Sequence, residues 1–405
     1  MSCFKPWCFA LLCAVMLAPA CARKTNSPAS AGESPSAAPS DGSAAAAPTT
    51  PATDAPAEVA PSDVPTVAAA TNDGIFKYTI TTDSGIGTEN IEILVAMNSV
   101  EGQYPVKYDL DCEGDGEFEY KGLTNDNKCI YKRNSGKHQI WLRGEIPGMF
   151  LCARRDSCMD DCPENAKCEK CIIPGVPDVF DDSKYAVVSI DSWGDVSWKS
   201  MHLFAARCYA LDKLPEGSPD LRQVKDMSGM FSAAKKFNQP IEHWDVSNIT
   251  NMSVMFSRAE SFNQPLENWN VSNVTDMNHM FSIARSFNQP LEKWDVSNVT
   301  NMSGMFYGYI SFCETCRSAF NQPLEKWNVS NVTNMHGMFW DAISFNQPLE
   351  KWNVSNVTDM GAMFVGAKSF SHYPKSWVVP ARDVDYMFTG TKVEAEAKKS
   401  PLKTK

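Results

Sequence analysis

Cysteines are the residues of this chain whose type and spacing are best suited to chemistry. The sequence contains fourteen, of which three lie in the first twenty residues and a fourth is Cys21, next to a possible cleavage site. Cys168 with Cys171 and Cys313 with Cys316 have the Cys-x-x-Cys spacing of half a zinc site, a redox-active dithiol or a local disulfide. The ten cysteines left are Cys112, Cys129, Cys152, Cys158, Cys162, Cys168, Cys171, Cys208, Cys313 and Cys316.

A second chemical candidate is the acidic run from Asp111 to Glu119. Its carboxylates occupy alternate positions around Gly116, as in the first half of a calcium-binding loop. Position twelve of such a loop is Gly122 here, where a bidentate glutamate is usual. We favour an acidic hairpin turn over a calcium site, and we predict no metal and no cofactor.

Catalytic motifs are missing from the sequence. The six histidines fall at unrelated positions, and no zinc-hydrolase, nucleophile-elbow or phosphate-loop pattern occurs. The formal net charge of −11 also disfavours nucleic acid and anionic lipid as partners, because both require a basic surface. We therefore predict no catalytic residue and no enzymatic activity.

The N-terminus indicates export. Residues 1–20 combine one lysine with a short apolar run, which is typical of a signal peptide and too short to span a bilayer. They end in Leu-Ala-Pro-Ala before Cys21, which resembles the lipobox of bacterial lipoproteins and implies lipidation at Cys21. Residues 21–72, rich in Ala, Pro, Ser and Thr and without aromatics, are predicted to be a disordered linker.

Export favours disulfides over the other two uses of the cysteines, since ten is an even number in an oxidising compartment. Cys112 and Cys129 flank a predicted hairpin and form a natural pair. The six cysteines from Cys152 to Cys208 can form three bridges, and the sequence does not fix how they connect. Zinc binding and redox chemistry remain the alternatives.

Residues 73–150 contain short β-rich runs separated by Gly, Asn and Asp, which predicts an antiparallel β sandwich. The Gly-Asp-Gly turn at 114–116 and the later alternating strand pattern resemble PKD-type, Ig-like domains. A charged, Cys-rich segment follows at 151–184.

Near-identical repeats occupy residues 185–390. The marker Met-x-x-Met-Phe recurs every 25 residues, with one gap of 33 that contains Cys313 and Cys316. Degraded copies stand at both ends, as capping units would. Trp-x-Val predicts a strand, Ser-Asn-Val-Thr a turn, and Met-x-x-Met-Phe one face of a short helix. The repeated asparagines are expected to stack as a ladder that satisfies neighbouring backbone groups; they are Asn248, Asn273, Asn298, Asn331 and Asn356.

The string Phe-Asn-Gln-Pro-Leu-Glu-x-Trp-(Asp/Asn)-Val-Ser-Asn-Val-Thr-x-Met-x-x-Met-Phe resembles the BspA-like leucine-rich-repeat surface proteins, a 26-residue-repeat family with a mycoplasma lipoprotein-type repeat domain. The resemblance implies a right-handed, leucine-rich-repeat-like β/α solenoid, surface exposure and, for some members, adhesion to host or matrix proteins. Residues 75–150 are similar to the β domain that often precedes these repeats.

Function is predicted from this architecture. We expect a lipid-anchored protein on the bacterial surface or outer membrane that binds a protein or glycan of a host, a matrix or a neighbouring cell. Contact with the membrane is expected through the lipid alone. The position after the marker varies from Ser to Tyr307 and Trp340, which makes these two the ligand-binding candidates. A repeated glutamate per unit is interpreted as a solvated acidic row. A display protein without a ligand is the alternative, and a hydrolase is the least favoured.

Residues 391–405, rich in lysine, are predicted to be a disordered tail.

Overall fold

A computed structural model describes residues 74–82, 90–97, 104–132, 135–152, 186–308, 317–380 and 386–405. All of them belong to the second of the two units into which the chain divides, Thr66–Lys405. The predicted signal peptide (1–20) and linker (21–72) lie outside the described residues. The same holds for seven of the predicted cysteine sites, namely Cys21, Cys158, Cys162, Cys168, Cys171, Cys313 and Cys316.

Eight β-strands form two sheets in the first part of the described chain. They are β1 (Phe76–Thr81), β2 (Asn90–Met97), β3 (Lys107–Asp111), β4 (Tyr120–Leu123), β5 (Asn127–Lys132), β6 (Lys137–Glu145), β7 (Met149–Phe150) and β8 (Ala186–Trp193). One sheet has the order β4-β3-β6-β1-β8 and the other the order β5-β2-β7. All pairs within these sheets are antiparallel.

The alternation of apolar and polar residues in β1 accounts for its place inside the larger sheet. Phe76, Tyr78 and Ile80 are buried, while the residues between them are partly exposed. Its neighbours are β6 on one side and β8 on the other. Cys112, which follows β3, forms a disulfide with Cys129 in β5. The pair expected from the sequence is therefore present, and it links the two sheets covalently.

Strand β8 leads from the sheets into the repeats. Just before the gap in the described chain, the Leu151 amide donates a hydrogen bond of 2.8 Å to the Phe204 carbonyl in the first degraded repeat. A second disulfide joins Cys152 to Cys208 and fixes the same contact covalently. The β-rich region consequently covers the N-terminal end of the apolar column that the repeats build.

Successive repeats stack in parallel and in register. The residue before each marker forms a parallel β-bridge with its equivalent one repeat later, in the series Asp226, Asn251, Asp276, Asn301, Asn334 and Asp359. The predicted Trp-x-Val strand is wrong, because the described repeat residues 194–308 and 317–377 contain no named strand. Trp244 and Val246 are nevertheless buried, since two consecutive turns direct both side chains inward.

The Met-x-x-Met-Phe segment is not a helix either, which corrects the second element predicted for each repeat. Within the first marker, the Met230 amide donates to the Met227 carbonyl at 3.2 Å, which closes a β-turn. The amides of Gly229 and Phe231 instead donate to Ser253 and Met255 in the next repeat, at 2.8 and 2.9 Å. Every second backbone amide of the marker therefore donates its hydrogen bond to the next repeat, and the i to i−4 hydrogen bonds of a helix cannot form.

Each of these turns requires a left-handed backbone conformation, as a type II turn does at its third residue. The residue before the second Met has a positive φ in every copy, from +51° to +62°. Glycine occupies it in some repeats, as at Gly304, but Val254 and His279 adopt the same conformation. A β-branched residue in this region is strained by roughly 1–3 kcal/mol.

We expect a reciprocal effect from exchanging these residues. Val254→Gly should raise the free energy of unfolding by about 1 kcal/mol because it relieves the positive φ. Gly304→Val should lower it by about 2 kcal/mol or more, since an added Cβ would also overlap the His279 ring. Urea denaturation of both variants measures the two effects, and a loss of stability in Val254→Gly would contradict the strain assignment.

Aromatic stacking holds the column together. The ring of Phe281 lies 4.0 Å from Phe287 of its own repeat and 5.9 Å from Phe306 of the next, nearly parallel to both. Four tryptophans also donate their indole N–H groups to the preceding repeat, as Trp294 does to the Leu266 carbonyl at 2.9 Å; they are Trp269, Trp294, Trp327 and Trp352. A single repeat lacks both the second phenylalanine ring supplied by the next repeat and the carbonyl supplied by the preceding one. The repeats therefore depend on stacking for their stability.

The asparagine ladder predicted from the sequence is confirmed. The amide groups of Asn273, Asn298, Asn331 and Asn356 each donate at 2.7 Å to a serine carbonyl one repeat earlier. Asn248 makes the equivalent bond to Arg222 at 3.3 Å. The threonines two residues on form a parallel ladder of hydroxyl-to-carbonyl bonds. These bonds satisfy the backbone along one edge of the stack.

The C-terminal segment differs from the predicted disordered tail. It contains helix α1 (Glu394–Lys399) and strand β10 (Lys403–Thr404), which pairs in parallel with β9 (Val378–Val379). Val393 and Leu402 are buried against the last repeat, and the Tyr373 hydroxyl donates to the Ser400 carbonyl at 2.6 Å. The lysine-rich composition concealed two apolar residues that are sufficient to dock the segment as a cap.

Candidate interaction surface

The acidic run after β3 forms a turn that holds itself together. The Asp111 carboxylate is fully buried and accepts hydrogen bonds from the backbone amides of Glu113, Gly114 and Gly116, at 2.5–2.9 Å. The Glu119 carboxylate accepts from the Cys112 amide at 3.0 Å. These carboxylates are occupied by the backbone of their own turn, which supports the hairpin interpretation over a calcium loop.

Polar groups with catalytic potential are scattered along the described chain. His336 lies 3.3 Å from the Asp359 carboxylate, and His202 lies 2.6 Å from the Ser228 hydroxyl, two contacts in separate parts of the stack. No group of three or more metal-ligating side chains is found among the described residues. A shallow depression near α1 is lined by Glu350, His372, Tyr373 and Lys375, among others. It belongs to the contact between the cap and the last repeats.

Three glutamates of the predicted acidic row are paired with lysines that sequence analysis missed. Glu267, Glu292 and Glu325 each contact a lysine of the following repeat at 3.0–3.2 Å. The partners are Lys293, Lys326 and Lys351. The signal was present in the sequence, since each lysine directly follows the next glutamate of the row and therefore lies one repeat plus one residue beyond its partner. At these three positions the row is a ladder of alternating charge, whereas the Glu350 carboxylate accepts a hydrogen bond from the Ser376 amide at 3.0 Å.

Tyr307 and Trp340 lie on adjacent repeats at the position after each marker. Their rings meet edge to face with centroids 5.6 Å apart, and both residues are partly exposed. The equivalent residues Ser257 and Ser282 are buried and small. The two aromatic candidates chosen from the sequence are thus brought together, and we call them the aromatic pair.

Neighbouring groups hold the aromatic pair in place. The His279 ring meets the Tyr307 ring edge to face at 6.1 Å. The Tyr307 carbonyl accepts from Ile283 at 2.7 Å, and the Trp340 carbonyl accepts from Gly308 at 2.8 Å. The backbone under both rings is therefore fixed on either side by the stack.

Asp341 contributes to the position of Trp340. Burial raises the pKa of the Asp341 carboxyl, while Arg317, Lys368 and a hydrogen bond with the Trp340 side chain oppose that rise. The hydrogen bond ties the indole to the next residue of its own turn. Such a preorganised pair of rings can bind a ligand without a large loss of side-chain entropy.

Charged residues flank the aromatic pair along the stack. Equivalent positions of four successive repeats form a column of side chains, which are Tyr209, Lys235, Glu260 and Arg285. The Lys235 ammonium lies 5.6 Å from the centre of the Tyr209 ring. Glu260 contacts Lys235 at 3.4 Å and Arg285 at 3.0 Å. Arg207 and Arg258 lie in the neighbouring column of left-handed residues. Cationic side chains therefore precede the aromatic pair on the same side of the repeats.

The described residues contain no helix long and apolar enough to cross a membrane. Searches against curated proteins and against solved structures returned no significant match. A family profile matches two overlapping segments, 199–318 and 313–400, which together cover most of the repeats and helix α1. The chain thus carries a domain of the family described as "Mycoplasma protein of unknown function, DUF285", over residues 199–400.

Proposed function

We propose that this chain is an exported, lipid-anchored surface protein whose repeats form a right-handed solenoid that binds a protein or glycan. The signal peptide and Cys21 would supply the anchor, the 21–72 segment a stalk, and residues 73–150 a β sandwich at the base of the solenoid. The repeat domain family is compatible with a mycoplasma-type surface protein. The finer identity, a BspA-like adhesin, is part of this proposal.

One observation carries the binding function, namely the aromatic pair. The positions that recur unchanged are explained by packing or by ladders of hydrogen bonds, whereas Tyr307 and Trp340 stand at a position where Ser232, Ser257 and Ser282 suffice for the fold. Aromatic residues that are held rigidly and partly exposed are the usual anchors of binding surfaces.

A display protein without a specific ligand is the second candidate. The near identity of the repeats favours it, because a purely structural array needs only the packing residues. A hydrolase is the third. The described residues contain two contacts between a serine hydroxyl and a histidine, Ser228 with His202 at 2.6 Å and Ser135 with His138 at 2.8 Å, but they lie in separate parts of the chain and no observation links either of them to a substrate. We place no catalytic residue in the chain.

Loss of the aromatic pair is expected to weaken ligand binding. The full chain carrying Tyr307→Ala and Trp340→Ala should bind its ligand about tenfold more weakly or worse, because both anchors are removed. Arrays of glycans and of extracellular proteins, followed by titration of each hit, measure this effect.

Val365→Ala is the matched control, since Val365 occupies the same position one repeat after Trp340. Its affinity should stay within about twofold of the unchanged chain. Binding that survives the double substitution would refute the aromatic pair as the site. A chain that binds nothing on either array would favour the display protein.

A further inference from the structure

A cluster of cations lies in line with the aromatic pair, and we call it the basic strip. Lys235, Lys236 and Arg258 are exposed, in a chain whose formal net charge is −11. In the four repeats that contribute to the strip, Glu260 is the one acidic residue at the positions that the strip occupies. The strip consists of Arg207, Lys235, Lys236, Arg258 and Arg285. Its local charge is therefore opposite in sign to that of the whole chain.

The strip and the aromatic pair form one continuous track along the stack. The Arg258 amide donates to the Ser282 carbonyl at 2.8 Å, and the next residue, Ile283, donates to the Tyr307 carbonyl at 2.7 Å. Arg258 is thus two repeats from Tyr307, and Trp340 is on the repeat after that. Repeats joined by parallel bridges follow one another at about 4.8 Å. A ligand that reaches all these groups must be elongated and lie along the stack.

We infer that the ligand is an anionic polysaccharide. Its carboxylate or sulfate groups pair with the basic strip, and the apolar faces of its sugar rings stack on Tyr307 and Trp340. A stiff polymer that carries charge at regular intervals matches cations on a rigid, repeating support. This inference rests on the proposed binding function and names the chemistry of its ligand.

An acidic peptide fits this track less well. An extended peptide gains most of its affinity by adding a strand to a free sheet edge. The backbone amides that could pair with such a strand already donate to the next repeat. Phe231 donates to the Met255 carbonyl and Phe256 to the Met280 carbonyl, both at 2.9 Å. Recognition must therefore use side chains, which charged groups and sugar rings can satisfy without main-chain hydrogen bonds.

Neutralising the strip should weaken binding to anionic polysaccharide selectively. The full chain with Lys236→Gln and Arg258→Gln should bind immobilised heparin or polygalacturonate about tenfold more weakly, with a smaller dependence on salt. The matched control is Lys293→Gln with Lys326→Gln, which removes the same charge from the glutamate ladder on another edge. The control should stay within about twofold of the unchanged chain.

Several outcomes overturn the inference. They are equal losses in the two double variants, binding to poly-L-glutamate or duplex DNA as tight as to the polysaccharides, and failure to bind either polysaccharide at low salt. A protein or neutral glycan bound through Tyr307 and Trp340 would preserve the proposed function while refuting an anionic ligand. Heparin binding that is lost with Lys236 and Arg258 yet indifferent to the aromatic substitutions would support the strip and count against the aromatic site.

Discussion

Phe281→Ala is expected to lower the free energy of unfolding by about 4 kcal/mol, the usual cost of deleting a buried aromatic ring. Phe281 is 1% exposed and lies in the middle of the column. Its ring stacks on Phe287 at 4.0 Å and on both neighbouring repeats, at 5.6 Å to Phe256 and 5.9 Å to Phe306. The cavity would interrupt the contact between repeats as well as the core of one repeat. Equilibrium denaturation followed by tryptophan fluorescence measures the loss.

Two substitutions at the same repeat calibrate that result. Phe281→Leu retains most of the volume and should cost about 1.5 kcal/mol. Ser286→Ala changes an exposed residue and should stay within about 0.5 kcal/mol of the unchanged chain. If Phe281→Ala costs less than about 1 kcal/mol, the stacked rings do not supply the cohesion assigned to them here.

Deleting residues 391–405 is expected to make the chain associate with itself. The deletion removes Val393 and Leu402, which are 4% and 6% exposed, and it leaves the hydrogen-bonding edge of β9 without β10. Losing these two buried side chains should cost about 4 kcal/mol. The uncovered final repeat would then present an apolar end and free backbone groups to a second copy. Sedimentation velocity over a range of concentrations should show species larger than the full chain forms.

Substitutions within the cap test whether its docking, and not merely its presence, prevents self-association. Val393→Asp with Leu402→Asp should reproduce the association because it undocks the segment without deleting it. Lys399→Ala alters an exposed residue of α1 and should leave the chain unchanged. Concentration-independent sedimentation of the deletion variant would show that the segment is no cap.

The repeats were predictable because their spacing is a property of the sequence itself. The Asn ladder followed from the same reasoning, since residues one repeat apart must be neighbours if the repeats stack in register. Cys112 and Cys129 could be paired because a predicted hairpin separates them. Cys152 and Cys208 could not be paired, because six cysteines allow many connectivities.

The local structure of each repeat was predicted wrongly for a physical reason. Apolar residues at i, i+3 and i+4 suit a helix, and they suit consecutive turns of similar pitch equally well. A residue with a positive φ distinguishes the consecutive turns from a helix. The glycines at this position, Gly229, Gly304 and Gly337, were the sign of it in the sequence. Val254 and Ala362 concealed that signal, since neither residue type favours a positive φ.

The candidate surface was only partly predictable. Tyr307 and Trp340 stood out because they depart from serine, but their edge-to-face contact depends on a backbone that the helix prediction misplaced. The lysine partners of the glutamate row were missed because only equivalent positions of successive repeats were expected to meet, and each lysine stands one position beyond the equivalent glutamate. The basic strip could not be predicted without the structure, since its members are spread over four repeats and only the stacking of these repeats brings them together.

The uniform register of the inter-repeat hydrogen bonds has a consequence for how such a protein can change its length. The contacts between interior repeats recur at the same offsets from one unit to the next, so a chain that gains or loses a whole unit remakes the same contacts at the new junction. Recombination between nearly identical coding segments would therefore produce folded variants of different reach. The two unlike ends, closed by the β-rich region and by α1 with β10, would remain intact. The length of the repeat stack can thus vary without a new fold having to be found.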